Sequence, residues 1–344
     1  MMRKAKIILT LSLVGIFFLP LCTFTVFAAP KVIKIGITQI VEHPALNAVR
    51  DGFIDAMADQ GYVEGENVVY DKLNAQGDMA TANTIARKFV SEKVDMILSI
   101  ATPTSMAAVN ATSTIPIVFS AVTDPLSAGL VKDLKHSGNN VTGISDLTPV
   151  KRQIQLIKEL FPEAKTVGTL YNASEVNSVT TNDLAKKACQ ELGMKLLEAT
   201  VSSSADVYLA AQSLAGRVDA IYVSTDNTVV SALDAVVQVT NKYKIPLVLA
   251  DPTTIGKGAL VALGFNYYEH GRQAADIAIK VLKGTKPGDI PVEFAKNLEL
   301  RINMDTVVRI ASSAPEEILN GCMSFYEKLK EEGAQLTIET VVSK

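Results

Sequence analysis

Tryptophan is absent from this chain of 344 residues, cysteine and histidine occur three times each, and aromatic residues make up only 6%. So few cysteines exclude a small module stapled by disulfides, and histidines at only 43, 136 and 270 leave little for a metal centre. No HExxH, GxSxG, GxGxxG or Walker-type loop occurs, and no nucleophile, base and orienting group stand out as a set, so the sequence speaks against an enzyme. A basic excess is missing as well. Lys plus Arg number 33 against 36 Asp plus Glu, a formal charge of −3, which gives no field to attract nucleic acid or anionic lipid.

What is present is enough apolar material for a large fold. With 48% hydrophobic residues, the chain suits roughly two lobes of ~150 residues, each with its own core. The one long uncharged run is at the start. Arg3, Lys4 and Lys6 precede an apolar stretch from Ile7 to Leu21, and small residues follow at Ala28 and Ala29. This is the pattern of a signal peptide over residues 1–28, cleaved after Val26-Phe27-Ala28, so the mature protein is expected outside the cytoplasm with a charge of −6. Two other readings remain: an uncleaved anchor, since no charge falls between Lys6 and Lys31, and a lipid-modified Cys22. The residues before Cys22, Leu19-Pro20-Leu21, lack the small residue of a lipobox, which favours simple cleavage. Cys189 shares a helical face with Ala185 and Leu192 and reads as a small buried hydrophobe rather than half of a disulfide.

Beyond Lys31, short β-branched runs alternate with helical patterns. Strands are predicted at 32–38, 68–73, 96–100, 115–120, 166–171, 195–200, 220–224, 246–250 and 259–263, and helices at 44–60, 79–91, 104–111, 151–160, 176–192, 205–214, 229–243 and 267–282. Such alternation argues α/β architecture: doubly wound parallel sheets, because parallel neighbours need a crossover of helix length. Gly61, Gly193 and Gly284 stand where helical patterns stop. Residues 135–150 lack periodicity and read as a hinge between two lobes. In the tail, 298–302 reads as a strand, 315–331 as a helix and 337–342 as an added strand.

In parallel α/β sheets ligands bind beyond the carboxyl ends of the strands, so the segments following each strand hold the candidates. Gln39 and His43 follow the first strand, with Pro44 suited to a first helical turn. Thr102, Thr104 and Ser105 follow the third and place hydroxyls at a helix start, where a carboxylate is well held, although Thr102 fits a plain N-cap equally well. Thr123 and Asp124 follow the fourth. In the second half come Tyr171, Asn172, Ser174 and Asn177, then Thr225, Asp226 and Asn227, then Asp251. Asp226 is the candidate partner for a ligand ammonium, with helix capping as its other reading. His43, Glu42 and Asp124 have no ligand spacing on one element, so neither a metal nor a cofactor is expected.

Seven segments taken in order are recognisable: QIVEHPALNAVRDGF, SIATPTSMAA, VFSAVTDPLSAGLV, GISDLTP, LYNASEVNS, VSTDNTV and GALVALGFNYYEHGRQAADIAIKVLKG. From about Lys34 to about Ile310 the chain resembles the TrpX-like family of ABC transporter substrate-binding proteins. That resemblance implies a type I periplasmic-binding-protein fold of two α/β lobes joined by a hinge. It puts residues 31–147 and 265–290 in one lobe and residues 148–264 and 291–344 in the other. It further implies a monomer that closes on an amino acid, most often an aromatic one, and delivers it to a membrane permease. Thr102, Thr104 and Ser105 would take the α-carboxylate, Asp226 the α-ammonium, and Tyr171, Phe119 and Phe265 would wall the ring. Here the chain runs on past the family's usual end. A ligand sensor docking on a membrane receptor would share this fold and pocket, and a neighbouring permease gene would separate the two. A secreted enzyme using the cleft would reveal itself by turnover of a bound molecule.

Overall fold

The structure, a computed structural model, describes residues 32–310 and 315–342. The expected signal peptide, its cleavage site and Cys22 lie outside the described residues. From Val32 the chain forms β1 (Ile33–Gln39), α1 (Pro44–Asp59), β2 (Val68–Asn74), α2 (Met79–Glu92), β3 (Met96–Ile100), α3 (Thr102–Ala111), β4 (Ile117–Val122) and β5 (Val141–Ser145). It crosses into α4 (Val150–Leu160), β6 (Thr166–Asn172), α5 (Val176–Glu191), β7 (Lys195–Val201), α6 (Val207–Leu214), β8 (Ala220–Val223), α7 (Asn227–Ser231), α8 (Leu233–Tyr243), β9 (Leu247–Leu249) and β10 (Val261–Phe265). It then returns through α9 (Tyr267–Leu282) and β11 (Glu293–Phe294), and finishes with β12 (Leu298–Asn303), α10 (Met304–Ile310), α11 (Pro315–Glu331) and β13 (Leu336–Val341).

The strands build two sheets, in the orders β11-β5-β4-β3-β1-β2 and β13-β12-β10-β9-β8-β6-β7. All pairings are parallel except β10 with β12. The central orders are the same in both lobes: each starts on an inner strand, adds one neighbour on one side and then winds outward on the other. This is doubly wound topology, and it sends the carboxyl-end loops of all strands except β12 and β13 to one edge of their sheet. The central strands β3, β4, β5, β8, β9 and β10 are buried on both faces, which is why they read as apolar runs rather than as alternating patterns.

Helix ends follow the local chemistry. Pro44 opens α1, whose first turn has no side-chain cap. Asp78 caps α2 by accepting from the Thr81 N–H, and the Asn266 side chain accepts from the Tyr268 and Glu269 N–H groups at the start of α9. Gly61 and Gly193 follow the ends of α1 and α5 with φ of +86° and +71°, the left-handed conformation that glycine adopts at least cost.

Three expectations need correction. Residues 141–145, read as hinge, form β5 and pair with β4. Gly143 weakened the strand signal, yet a Cβ there would stand 2.1 Å from the Phe119 carbonyl oxygen, so the close approach of β4 demands glycine. The predicted helix 229–243 is broken at Ala232 into α7 and α8. Glu293–Phe294, placed in the second lobe, pairs with β5 in the first sheet, and Phe265, placed in the first, pairs with Leu298 in the second. The last crossing therefore falls at residues 295–297. The tail packs with the second sheet: Ile318, Cys322, Phe325 and Leu329 of α11 are spaced on one face and buried in the core that holds Leu160 and Leu300. Cys189 is buried in that core as well, a free thiol as read from its helical face.

α9 leaves the second lobe and packs against α1 of the first with its backbone nearly touching. A Cβ on Gly52 would lie 2.1 Å from the Tyr268 carbonyl oxygen, and one on Gly271 would lie 2.0 Å from that of Val49. In an ordinary helix interior Gly→Ala stabilises by about 0.5–1 kcal/mol. Here Gly271→Ala is expected to destabilise instead, by roughly 1–3 kcal/mol through overpacking, read from the denaturant midpoint; a stabilised variant would show that the helices do not meet so closely.

Candidate functional site

The carboxyl-end loops of the two sheets meet. His43 arrives after β1, Thr123 after β4, Asp146 after β5, Thr225, Asp226 and Asn227 after β8, Asp251 after β9, and Tyr267 after β10; Asn177 comes from the first turn of α5. Together with Ala45, Leu46, Ala121 and Val230 they surround a cavity with free room of about 20 Å³, space for roughly one water. The lobes touch across it: the hydroxyls of Thr123 and Thr225 are 3.4 Å apart.

The lining is rich in acceptors. Asp146, Asp226 and Asp251 are 2%, 0% and 4% exposed, and no lysine or arginine lines the cavity among the described residues. The three carboxylates differ in what they already hold. Asp226 caps α7, its Oδ1 accepting the Val229 N–H at 2.7 Å, while its Oδ2 accepts the Asn172 N–H at 2.6 Å. Asp251 accepts from the Thr253 N–H and the Thr254 hydroxyl. Asp146 accepts the Tyr267 hydroxyl at 2.7 Å on Oδ2, whereas its Oδ1 is buried without a hydrogen-bond partner. The Asn177 Oδ1 and His43 Nδ1 are likewise buried and unpartnered.

Burial sets the titration of these groups. It pushes the Asp146 carboxyl up to about 6 and raises Asp251. Asp226 is raised well above the ordinary carboxylate range, first by burial and then by the negative charge of Glu175. Burial also lowers His43 and His270 to about 4, so both imidazoles are neutral at pH 7. Such a cavity lacks a positive charge and offers oxygen atoms to one. Ala45 and Leu46 bring to its wall the first turn of α1, which has no side-chain cap and is the end of a helix that favours negative charge. A second hollow of about 170 Å³ shares Asn227, with Ile40, Val41, Met79 and Pro103 on one side and Ser202, Ser203 and Ser204 on the other.

Several candidates from sequence stand elsewhere. The Thr104 hydroxyl donates to the Ile100 and Ala101 carbonyls, and the Ser105 hydroxyl to Ala101, so these side chains turn back on their own helix rather than into the cavity. Thr102 is buried with its hydroxyl unpartnered, and it does not line the cavity. Gln39 is tied to Val41 and Asn47. Asp124 closes its own turn by accepting from the Leu126 and Ser127 N–H groups. Phe119 is 0% exposed under Gly143 and Phe265 sits in the second sheet, so neither walls the cavity. Tyr171 ends β6 beside Glu198 and Lys186, away from it. Asn172 and Ser174 border the second hollow, the Asn172 side-chain oxygen accepting from the Ser174 N–H and hydroxyl. The residues missed are Asp146, Tyr267 and Glu175, the last holding α7 in place by accepting from Asn227 and Thr228. Asp146 and Tyr267 also follow strand ends, and reading 141–145 as a strand would have exposed the first. His270 is packed inside, with Nδ1 2.8 Å from the Ser120 hydroxyl and its ring stacked on Tyr267.

Residues 34–325 match the family of ABC transporter substrate binding proteins. This chain belongs to that family. It is 44% identical over 274 residues to a tyrosine-binding protein of Clostridioides difficile (strain R20291), covering 80% of this chain and 79% of that one. Among solved structures, it superposes with a TM-score of 0.79 on an ABC domain from Streptococcus pneumonia in complex with L-Trp, at 33% identity over 85% of this chain and 98% of that one. On the ligand-free, open structure of a substrate binding protein with adhesive properties from Clostridium difficile the TM-score is 0.63, at 39% identity over 91% and 100%. The fold of this substrate-binding protein is thus that of the type I periplasmic binding proteins, and these relatives are binding proteins.

The raised Asp146 carboxyl has a consequence for stability. Its folded pKa lies above the unfolded value, so ionising it inside the fold costs stability once the pH exceeds about 6, and the cost fades as the pH falls toward 4. Asp146→Asn keeps an acceptor for Tyr267 and removes the charge. The ligand-free variant is expected to melt higher than the parent at pH 8, by about 1–3 kcal/mol, with the gap closing by pH 4; a constant gap across that range contradicts the assignment.

Proposed function

We propose that this substrate-binding protein is the extracytoplasmic solute-binding component of an ABC importer. It closes its two lobes, as a monomer, on a small zwitterion, an aromatic amino acid such as tyrosine, tryptophan or phenylalanine, and presents it to a membrane permease without chemical change. One observation carries the reading: the carboxyl-end loops of both lobes enclose a buried cavity that offers unpaired acceptors for an ammonium and lies against the start of α1, which has no side-chain cap and suits a carboxylate. Both charges of a buried zwitterion need such partners. The apolar side of the adjoining hollow, Ile40, Val41, Met79 and Pro103, supplies surface for a ring.

Two comparisons support the ligand class and the motion. The relatives at 44% and 33% identity are a tyrosine-binding protein and a complex with L-Trp. Superposition is better on the L-Trp complex than on the open, ligand-free protein although the latter is more identical, which favours a pair of lobes that take two spacings. With about 20 Å³ free, an amino acid enters only when the lobes part. A ligand touching both lobes shifts the population toward the closed form by its differential affinity for it.

Thermal-shift titration of residues 29–344 against the twenty amino acids tests the proposal. An aromatic amino acid at a hundredfold over its Kd is expected to stabilise by about 2.7 kcal/mol, a rise of several degrees in Tm. No shift with tyrosine, tryptophan or phenylalanine sinks the ligand assignment. For the export route, N-terminal sequencing of secreted protein is expected to begin at Ala29, and a blocked start at Cys22 would replace simple cleavage by a lipid anchor.

A further inference from the structure

Among the three buried aspartates of the cavity, the sequence singles out Asp226 for a ligand ammonium. The hydrogen bonds point elsewhere. Each Asp226 oxygen already accepts a backbone N–H, one from the start of its own helix and one from the end of β6, so this carboxylate is engaged in holding two loops of the second lobe together. Asp146 is different in kind. Tyr267 fixes its orientation through Oδ2, and Oδ1 is left buried with no donor. A buried acceptor without a donor forfeits the whole desolvation of that atom, so a donor arriving there gains more than one arriving at an oxygen already served. The same cavity holds a second orphan acceptor, Oδ1 of Asn177, whose amide nitrogen is held by the Thr225 carbonyl at 3.0 Å.

The two orphans belong to different parts of the molecule. Asp146 follows β5 on the first crossing between lobes and is bonded to Tyr267 on the second, whereas Asn177 rides on α5 of the second lobe. An ammonium has three N–H donors on one centre and is the chemical group that serves several converging oxygens at once.

We propose that Asp146, positioned by Tyr267 and assisted by Asn177, is the ammonium receptor of the site, and that Asp226 is a structural cap. This rests on the amino-acid reading above and names the residue that reads the ligand's charge. The site thereby selects for a primary amine on the ligand.

Calorimetric titration of residues 29–344 with L-tryptophan and L-tyrosine, and with their amine-free analogues indole-3-propionate and 3-(4-hydroxyphenyl)propionate, separates the possibilities. For Asp146→Asn the amino acid is expected to bind roughly a hundredfold more weakly, the loss typical of removing one partner of a buried charge pair, while the amine-free analogue keeps its affinity. Asp226→Asn is expected to lower the ligand-free Tm and to weaken the amino acid and its analogue alike. The inference is overturned if Asp146→Asn binds the amino acid as the parent does, or weakens analogue and amino acid equally. When the parent binds an aromatic amino acid and Asp146→Asn does so unchanged, only this assignment fails. When the parent binds neither amino acid, the proposed function falls and takes the assignment with it. Circular dichroism and the Tm of each variant report folding independently.

Discussion

α1 and α9 approach so closely that Gly52 and Gly271 leave no room for a methyl group, and much of the site follows from that contact. α9 arrives from β10 of the second lobe, yet Ala274, Ala275, Ile277 and Ala278 are buried in the core of the first. The helix is therefore anchored on one lobe and fed by the other. Its first residue, Tyr267, is held where it meets Asp146, and the first turn of α1 ends at the same cavity through His43. Small residues at the crossing are what allow the backbones to set these two helix starts side by side.

The cavity shows the usual tension between binding and stability. Three carboxylates share a space without any cation, and burial keeps their protons on to higher pH than in water. Each is kept tolerable by a different device: capping for Asp226, a short turn for Asp251, and the Tyr267 hydroxyl for Asp146. One alanine of the cavity wall, Ala121, has a φ of +54°, a conformation that disfavours a Cβ. Strain of this sort gathers where loops are shaped for a ligand rather than for themselves.

The fold class was legible in the alternation of apolar runs and helical patterns, since parallel strands covered on both faces leave that trace at every repeat. Elements without it were lost. β5 is five residues with a glycine at its centre, and β11 is two residues long; both are set by neighbours in space. The candidate cavity was legible at the level of loops, because topology brings strand ends together: His43, Thr123, Asn177, Thr225, Asp226, Asn227 and Asp251 all line it. Which atoms stay free was not. Thr104 and Ser105 have the right chemistry and spacing, but a hydroxyl in a first helical turn is captured by the carbonyl a turn back, and no pattern of letters shows which rotamer it adopts.

The final strand has a bearing on how this protein survives among its own copies. β12 runs antiparallel to β10 and would present a full row of main-chain donors and acceptors were it outermost; β13 occupies that row along all six of its residues. β13 is half exposed and carries Glu339, joined to Arg301 of β12. β13 is in turn the outermost strand of its sheet, and Glu339 is its one charged residue, so that single carboxylate is the main charge standing on this strand against pairing with a stranger's backbone.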